Sequence, residues 1–478
     1  MENKQQSGNS DFLTGNLPLL KSDRVYSFFD NTCMDVAMAI ATWCFMTGGT
    51  LALFVGVWDS IVATIAGNVV GVFLGVISSS ISSAKYGIDH WTMGRSWLGN
   101  NGMKIVLVVI LLTQVGWAVT LSVMCGRSIE NILQAATGFV SSSGNLINFL
   151  GLAAALIAWL ITWKGPIVMR RMNAIVAPLM ALVMLGMAIL IATAPGGWAA
   201  IFECEPIAPV PGGRMLNFMI AFEINIGAGI SWWASRGVMA RLCKTTRAAY
   251  WPNMFGVCLA ASIGTIIGVA TSLAFNSIDP TEWMIPLGGL ALGVFALIFI
   301  AFANLSSIPV TAYDSCLGMR QYKMFENIGW GKLTFIFMIP TFLIMVFCPM
   351  FIYDHFYILM GIICVVYVPL VGIQMSDYFF LRKQRINLSA AFDKSRTGKY
   401  RFWGGFNWVA IAVFAMSCVV YVLLFDPIML VARPMFVYMS ATGATLVFSV
   451  IMYTILGKIF LVNNKKGVGA YKDDELTC

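Results

Sequence analysis

About twelve apolar runs long enough to cross a bilayer dominate this chain. They lie near 33–56, 60–83, 104–126, 145–163, 174–194, 215–238, 252–275, 287–310, 333–350, 355–375, 404–425 and 435–458. A helix rises 1.5 Å per residue, so about 20 apolar residues cover the roughly 30 Å hydrocarbon core. Lipid offers the backbone no hydrogen-bond partners, and a run surrounded by it must satisfy its own amides by becoming helical. Composition agrees: 59% hydrophobic and 11% charged residues, with mean hydropathy +0.81, exclude an ordinary soluble domain. The expected fold class is an all-α polytopic membrane protein with 12 transmembrane helices, its solvent the lipid bilayer.

Basic residues orient these spans. With the N-terminus in the cytoplasm, only Arg127, Arg214 and Arg433 of the 30 Lys and Arg fall outside. Lys85 and Arg95, Arg170 and Arg171, Arg236 and Arg241, and the 382–401 cluster (with Lys394 and Arg396) then lie inside, a positive-inside pattern. This bias toward anionic headgroups accounts for the net charge of +8 and leaves no role for nucleic acid. Both termini are expected in the cytoplasm of a plasma (inner) membrane protein. The polar first thirty residues do not look like a removable signal peptide. With two histidines, a His-based metal site or a Ser-His-Asp triad has almost no material, and no phosphate-binding Gly-rich loop is present. These absences argue against an enzyme and against an ATP-driven pump.

The spans fall into a cytoplasmic tail (1–31), five spans (32–196), five more entering from the opposite side (214–381), two further helices (404–459) and a second tail (460–478). Five is odd, which gives the two sets inverted topology, a transporter plan with its site at the repeat interface. Glycines at mid-depth in the opening span of each set, Gly48 and Gly49 then Gly227 and Gly229, suggest unwound segments there.

Some polar residues sit where lipid would accept only apolar ones. Thr113-Gln114-Val115-Gly116-Trp117 puts an amide beside an indole in the third span, suiting a small, flat, hydrogen-bonding solute. Glu223 lies deep in the sixth span, where a carboxylate costs about 2.5–3.5 kcal/mol on insertion scales. It is a candidate to accept hydrogen bonds from a solute or to carry a coupling proton. Asn225, Ser231, Trp232 and Trp233 follow, repeating the polar-plus-indole theme; one indole could flank a ligand while the other packs. In Ala303-Asn304-Leu305-Ser306-Ser307, paired hydroxyls offer hard oxygens to a small cation, although such serines also bond back to their own carbonyls. Asp35 is expected at the interface.

Taken in order, several stretches resemble the nucleobase:cation symporter-1 family, in particular bacterial members of its cytosine permease and hydantoin/allantoin transporter group. They are Met46-Thr47-Gly48-Gly49-Thr50-Leu51 with Gly67-Asn68, Ala84-Lys85-Tyr86-Gly87-Ile88 with Arg95 and Gly99, and Thr113-Gln114-Val115-Gly116-Trp117. Pro369-Leu370-Val371-Gly372-Ile373, Asp377-Tyr378-Phe379-Phe380-Leu381-Arg382 and Phe406-Asn407-Trp408 complete the set. The resemblance implies a five-plus-five inverted-repeat (LeuT-like) transporter fold plus two extra helices. It also implies alternating access and import of a heterocycle with Na+ or H+. Carried over by position, Na+ would be held by the carbonyls of Ala37, Ile40 and Ala303 and the hydroxyls of Ser306 and Ser307. The substrate would lie against Gln114 and Trp117 with Thr42 nearby, and Glu223, Asn225, Ser231, Trp232, Trp233 and Asn304 complete the candidate set. Two features depart from the family pattern. Relatives that take cytosine carry Asn and Asp after the paired hydroxyls, where this chain has Ile308 and Pro309. The sixth-span residues do not align cleanly either.

The expected partner is therefore a small heterocyclic molecule, with Na+ as coupling ion, H+ as its alternative, no other cofactor, and a monomeric protein. The same fold could serve an amino acid or an amine, which would give paired indoles no special role. A channel or membrane-embedded enzyme is a further alternative.

Overall fold

The computed structural model describes residues 12–139, 145–393, 395, 398–463 and 471. Lys394 and Arg396 of the basic loop, the first eleven residues and most of the C-terminal tail lie outside them. Ten helices are long and apolar enough to cross a membrane: Val57–Tyr86, Asn100–Thr137, Asn145–Lys164, Pro166–Thr193, Arg214–Ala240, Thr246–Phe275, Pro280–Met319, Trp330–Phe347, Phe356–Leu381 and Ala441–Val462. The pair Phe28–Ala39 and Thr42–Phe54 meets the same test jointly, with a 46° bend between its halves. Counted with that pair as the first span, Val57–Tyr86 is the second, Arg214–Ala240 the sixth, Pro280–Met319 the eighth and Phe356–Leu381 the tenth. The apolar helix Trp408–Leu424 is shorter, at 17 residues, so the expected twelve is reached only by including it. A small antiparallel hairpin, Phe425–Asp426 with Val431–Ala432, follows it and, with two isolated bridges (Tyr26 to Cys243, Trp403 to Phe406), is the β structure among the described residues. Side chains such as Ile105, Leu112, Phe149 and Leu182 stay exposed, where acyl chains solvate them as well as a core would.

The first span breaks where no glycine or proline stands. Ile40 (φ −95°, ψ 40°) and Ala41 (φ −87°, ψ 172°) leave helical geometry, and Thr42 opens a new helix. The amide of Thr42 would be an orphan donor at that N-terminus. Asn304 of the eighth span takes it: Oδ1 accepts from Thr42 N–H at 3.1 Å, and Nδ2 donates to Thr42 Oγ1 at 2.6 Å. The cap is thus supplied by a residue 262 positions away.

The unwinding expected at Gly48 and Gly49 does not occur there; both lie inside Thr42–Phe54. Their use is close packing, since a Cβ on Gly48 would sit 2.2 Å from the Thr265 carbonyl oxygen of the seventh span. Gly227 and Gly229 likewise lie within the continuous helix Arg214–Ser231, and the sixth span is interrupted only afterwards, at Trp232, before Trp233–Ala240. A Cβ on Gly229 would meet Val72 N at 2.8 Å and Gly71 Cα at 2.9 Å. Backbone cannot step aside as a side chain can, so Gly229→Ala has to push the second and sixth spans apart. We expect a loss of about 1–3 kcal/mol, the usual cost of overpacking, readable as a lowered unfolding midpoint of the detergent-solubilised protein.

Four polar side chains serve the scaffold. Arg382 pairs with Asp377 at 2.7 Å, Tyr453 donates to the same carboxylate, and Asn407 donates to the Trp97 carbonyl and to Tyr453. Two pieces of the family resemblance, around Asp377 and Asn407, therefore tie helices together far from the cavity described next.

Candidate functional site

Where the first span breaks, the third, sixth and eighth spans enclose a cavity. Its walls are Met38, Trp43, Gln114, Trp117, Leu121, Ser231, Trp232, Ser235, Ser307 and Thr311. Three indoles from three spans converge on it. The Trp43 ring meets Trp117 edge-on at 6.1 Å between centroids and leans on Trp232 at 5.9 Å. Trp43 is fixed by its own N–H, which donates to the Met38 carbonyl across the break at 2.8 Å. Trp117 is held from its other side by Phe356 of the tenth span, edge-on at 5.6 Å.

The polar lining is neutral throughout. Gln114 is 5% exposed, yet among the described residues its amide makes no hydrogen bond to the protein. An amide at that depth without a protein partner is available to a solute. Ser231 donates to the Ala228 carbonyl at 2.6 Å and keeps its lone pairs free to accept. Among the described residues no charged side chain lines the cavity.

Of the residues singled out from sequence, the structure brings Gln114, Trp117, Ser231 and Trp232 to this cavity. Thr42 and Asn304 are placed beside it, satisfying each other as described above. Trp233 turns away: successive helical residues point about 100° apart, and its N–H donates to Gln374 Oε1 at 2.7 Å among His90 and Tyr367. Asn225 faces the second span at Gly67 and donates to the Ala221 carbonyl at 2.9 Å. Glu223 is remote from the cavity. Its Oε1 accepts from Tyr421 Oη at 2.8 Å, Thr442 Oγ1 at 2.6 Å and Thr442 N–H at 2.9 Å, capping the last helix from another span. Asp35 is not interfacial but fully buried, in an ion pair with Arg236. Trp43 and Ser235 were not anticipated. The signal was present for Trp43, an indole directly after Thr42, as for Ser231-Trp232.

The residues expected from sequence to hold a cation lie on the two spans that the Thr42–Asn304 contact joins. Among the described residues the carbonyls of Ala37 and Ile40 accept no hydrogen bond, as the end of a helix leaves them. Ser306 and Ser307 both donate to the Ala303 carbonyl, at 3.0 and 2.9 Å. The Thr42–Asn304 clamp holds this stretch of the eighth span against the break. Neutral carbonyls and hydroxyls are a donor set for a hard monovalent cation, and no group of three or more His, Cys, Asp or Glu is poised for a transition metal among the described residues.

Comparison with known proteins gives the family and the fold. Residues 19–448 match the family model described as permease for cytosine/purines, uracil, thiamine and allantoin. The hydantoin permease of Microbacterium maritypicum is 26% identical over 429 residues, 85% of this chain and 83% of that protein. A purine-uracil permease of Arabidopsis thaliana is 22% identical over 430 residues, covering 82% and 68% respectively. The chain superposes with TM-score 0.73 on Mhp1, a nucleobase-cation-symport-1 family transporter in a closed conformation with bromovinylhydantoin bound. That match is 21% identical and covers 96% of this chain and 98% of that one, a likeness of fold.

Proposed function

This chain belongs to the permease family for cytosine/purines, uracil, thiamine and allantoin, and on that premise we propose that it imports a neutral, flat heterocycle by Na+-coupled symport with alternating access. It is a membrane transporter rather than an enzyme. The observation that carries the substrate class is the cavity of three indoles with an unengaged Gln114 amide and no charged wall. Stacking on Trp117 or Trp232 supplies affinity for any planar ring, and the Gln114 amide selects rings that offer both a donor and an acceptor edge. An amine or amino acid would need a charged side chain facing it, and among the described residues none lines the cavity, which favours the heterocycle over that alternative.

Na+ would sit among the carbonyls of Ala37, Ile40 and Ala303 and the hydroxyls of Ser306 and Ser307. Ser307 lines the substrate cavity as well, so each ligand would stiffen the wall the other uses. Coupling of this kind is reciprocal: if Na+ raises substrate affinity, substrate raises Na+ affinity by the same factor.

The test is thermal stabilisation of the purified protein by purines, pyrimidines, hydantoins and amino acids, each in sodium and in choline buffer. A ligand at a hundred times its Kd stabilises by about 2.7 kcal/mol. We expect a hit among the heterocycles that strengthens in sodium. A hit confined to amines or amino acids would reject the reading.

A further inference from the structure

One turn below the cavity, three spans contribute charged residues that meet. Asp35 precedes the cavity residue Met38 by three positions, Arg236 follows Trp232 by four, and Asp314 follows Thr311 by three. Those spacings stack each charged residue under a lining residue on the same helix face. All three are buried, and they form a floor toward the end where the Leu13 carbonyl accepts from Tyr313 and Arg241. The floor holds two acids and one base. Asp35 takes the guanidinium of Arg236, which also lies over the Trp232 ring at 5.0 Å. Asp314 is left over: it is fully buried, and neither carboxyl oxygen has a hydrogen-bond partner.

The other buried acids of the spans differ. Asp35 and Asp377 each have an arginine, and Glu223 accepts three hydrogen bonds on one oxygen. As a carboxylate, Asp314 would carry a charge at membrane depth with no hydrogen-bond donor, beside a guanidinium that already pairs with Asp35, a costly arrangement for a buried acid. As a carboxylic acid it is neutral and its lack of donors costs far less. We propose that Asp314 is a proton-binding site, and that the floor is closed with a proton on this carboxyl.

Opening the floor toward the adjacent aqueous side would hydrate the group. The proton then passes from Asp314 Oδ to water, and the carboxylate left behind is stabilised by that water and by Arg236. Proton occupancy is thereby linked to the closed floor, independently of which solute the cavity takes. The titratable and charged groups around Asp314 are Arg236 of the sixth span, Tyr367 of the tenth, and Tyr313 and Cys316 on its own helix, with Asp35 of the first span behind Arg236. His90 lacks ring-nitrogen partners too, but an imidazole has no carboxyl signature.

Infrared spectroscopy of the ligand-free protein at neutral pH tests this directly. We expect a protonated-carboxyl carbonyl band that shifts in D2O and is lost in Asp314→Asn, a variant that mimics the protonated acid and should keep the unfolding midpoint of the parent. The Glu223→Gln protein should retain that band. If Asp314→Asn does not fold, Asp314→Ser takes its place. An unchanged band in the variant, or no such band in the parent, would overturn the proposal. In vesicles, the pH dependence of uptake should flatten in Asp314→Asn while sodium dependence persists. Because the spectrum is recorded without solute or sodium, failure of the heterocycle reading and failure of this one are separately visible.

Discussion

Arg236→Ala should cost the folded protein about 3–5 kcal/mol, the penalty for stranding one member of a buried ion pair. The guanidinium is 2% exposed, pairs with Asp35, points a second nitrogen at Met38 Sδ and covers the Trp232 ring. Its removal leaves Asp35 unneutralised at 0% exposure and takes away the guanidinium beside Asp314. Arg236→Lys should recover part of the loss, because it restores the charge without the planar fork that reaches Asp35 and the indole together. The decisive comparison is Asp35→Asn/Arg236→Gln. Replacing both charges by neutral groups that still hydrogen-bond should return the unfolding midpoint close to the parent, whereas each single neutralisation lowers it. Equal damage in single and double variants would mean that packing, and not the uncompensated charge, dominates.

The spans were legible because a bilayer leaves a chain little choice: apolar length and basic flanks are written locally, residue by residue. What tertiary contacts impose was not legible. The break in the first span lies at Ile40–Ala41 and is stabilised by Asn304 capping Thr42, a contact no local pattern announces. Glycines at 48 and 49 drew attention as breakers, yet Gly48 lets the seventh span approach closely and Gly49 makes room for Ile278 in the loop after it. The same blindness affected Glu223, whose partners come from Tyr421 and Thr442 nearly two hundred or more residues later.

The site was legible where a polar group and an indole share a span, as in Gln114 with Trp117 and Ser231 with Trp232. It was ambiguous between Trp232 and Trp233, because adjacent positions on a helix differ by about 100° and only packing decides which faces inward. Asp314 was missed for a plainer reason. The eighth span was expected to end near residue 310, but the helix runs to Met319 and carries Asp314 into the interior.

Trp117→Ala should weaken heterocycle binding by about 1–3 kcal/mol, the range seen when a stacking aromatic is truncated beneath a base, which corresponds to roughly 5- to 150-fold in Kd. Of the three indoles, Trp117 gives the cleanest test. Trp43 also bridges the break through its N–H to Met38, and Trp232 also carries Arg236, so truncating either disturbs the fold. Trp117 is only partly buried and touches Trp43 and Phe356 by ring edges, contacts worth about 0.5–1.5 kcal/mol each. Trp117→Phe should therefore restore most binding, since a smaller ring still offers a face. Gln114→Leu, read beside it, should lower affinity unequally across the panel, most for rings that rely on the amide for both donor and acceptor contacts. A uniform loss for Trp117→Ala with a ligand-dependent loss for Gln114→Leu would separate stacking from recognition. If Trp117→Ala binds every ligand as the parent does, the heterocycle lies elsewhere and this indole is packing.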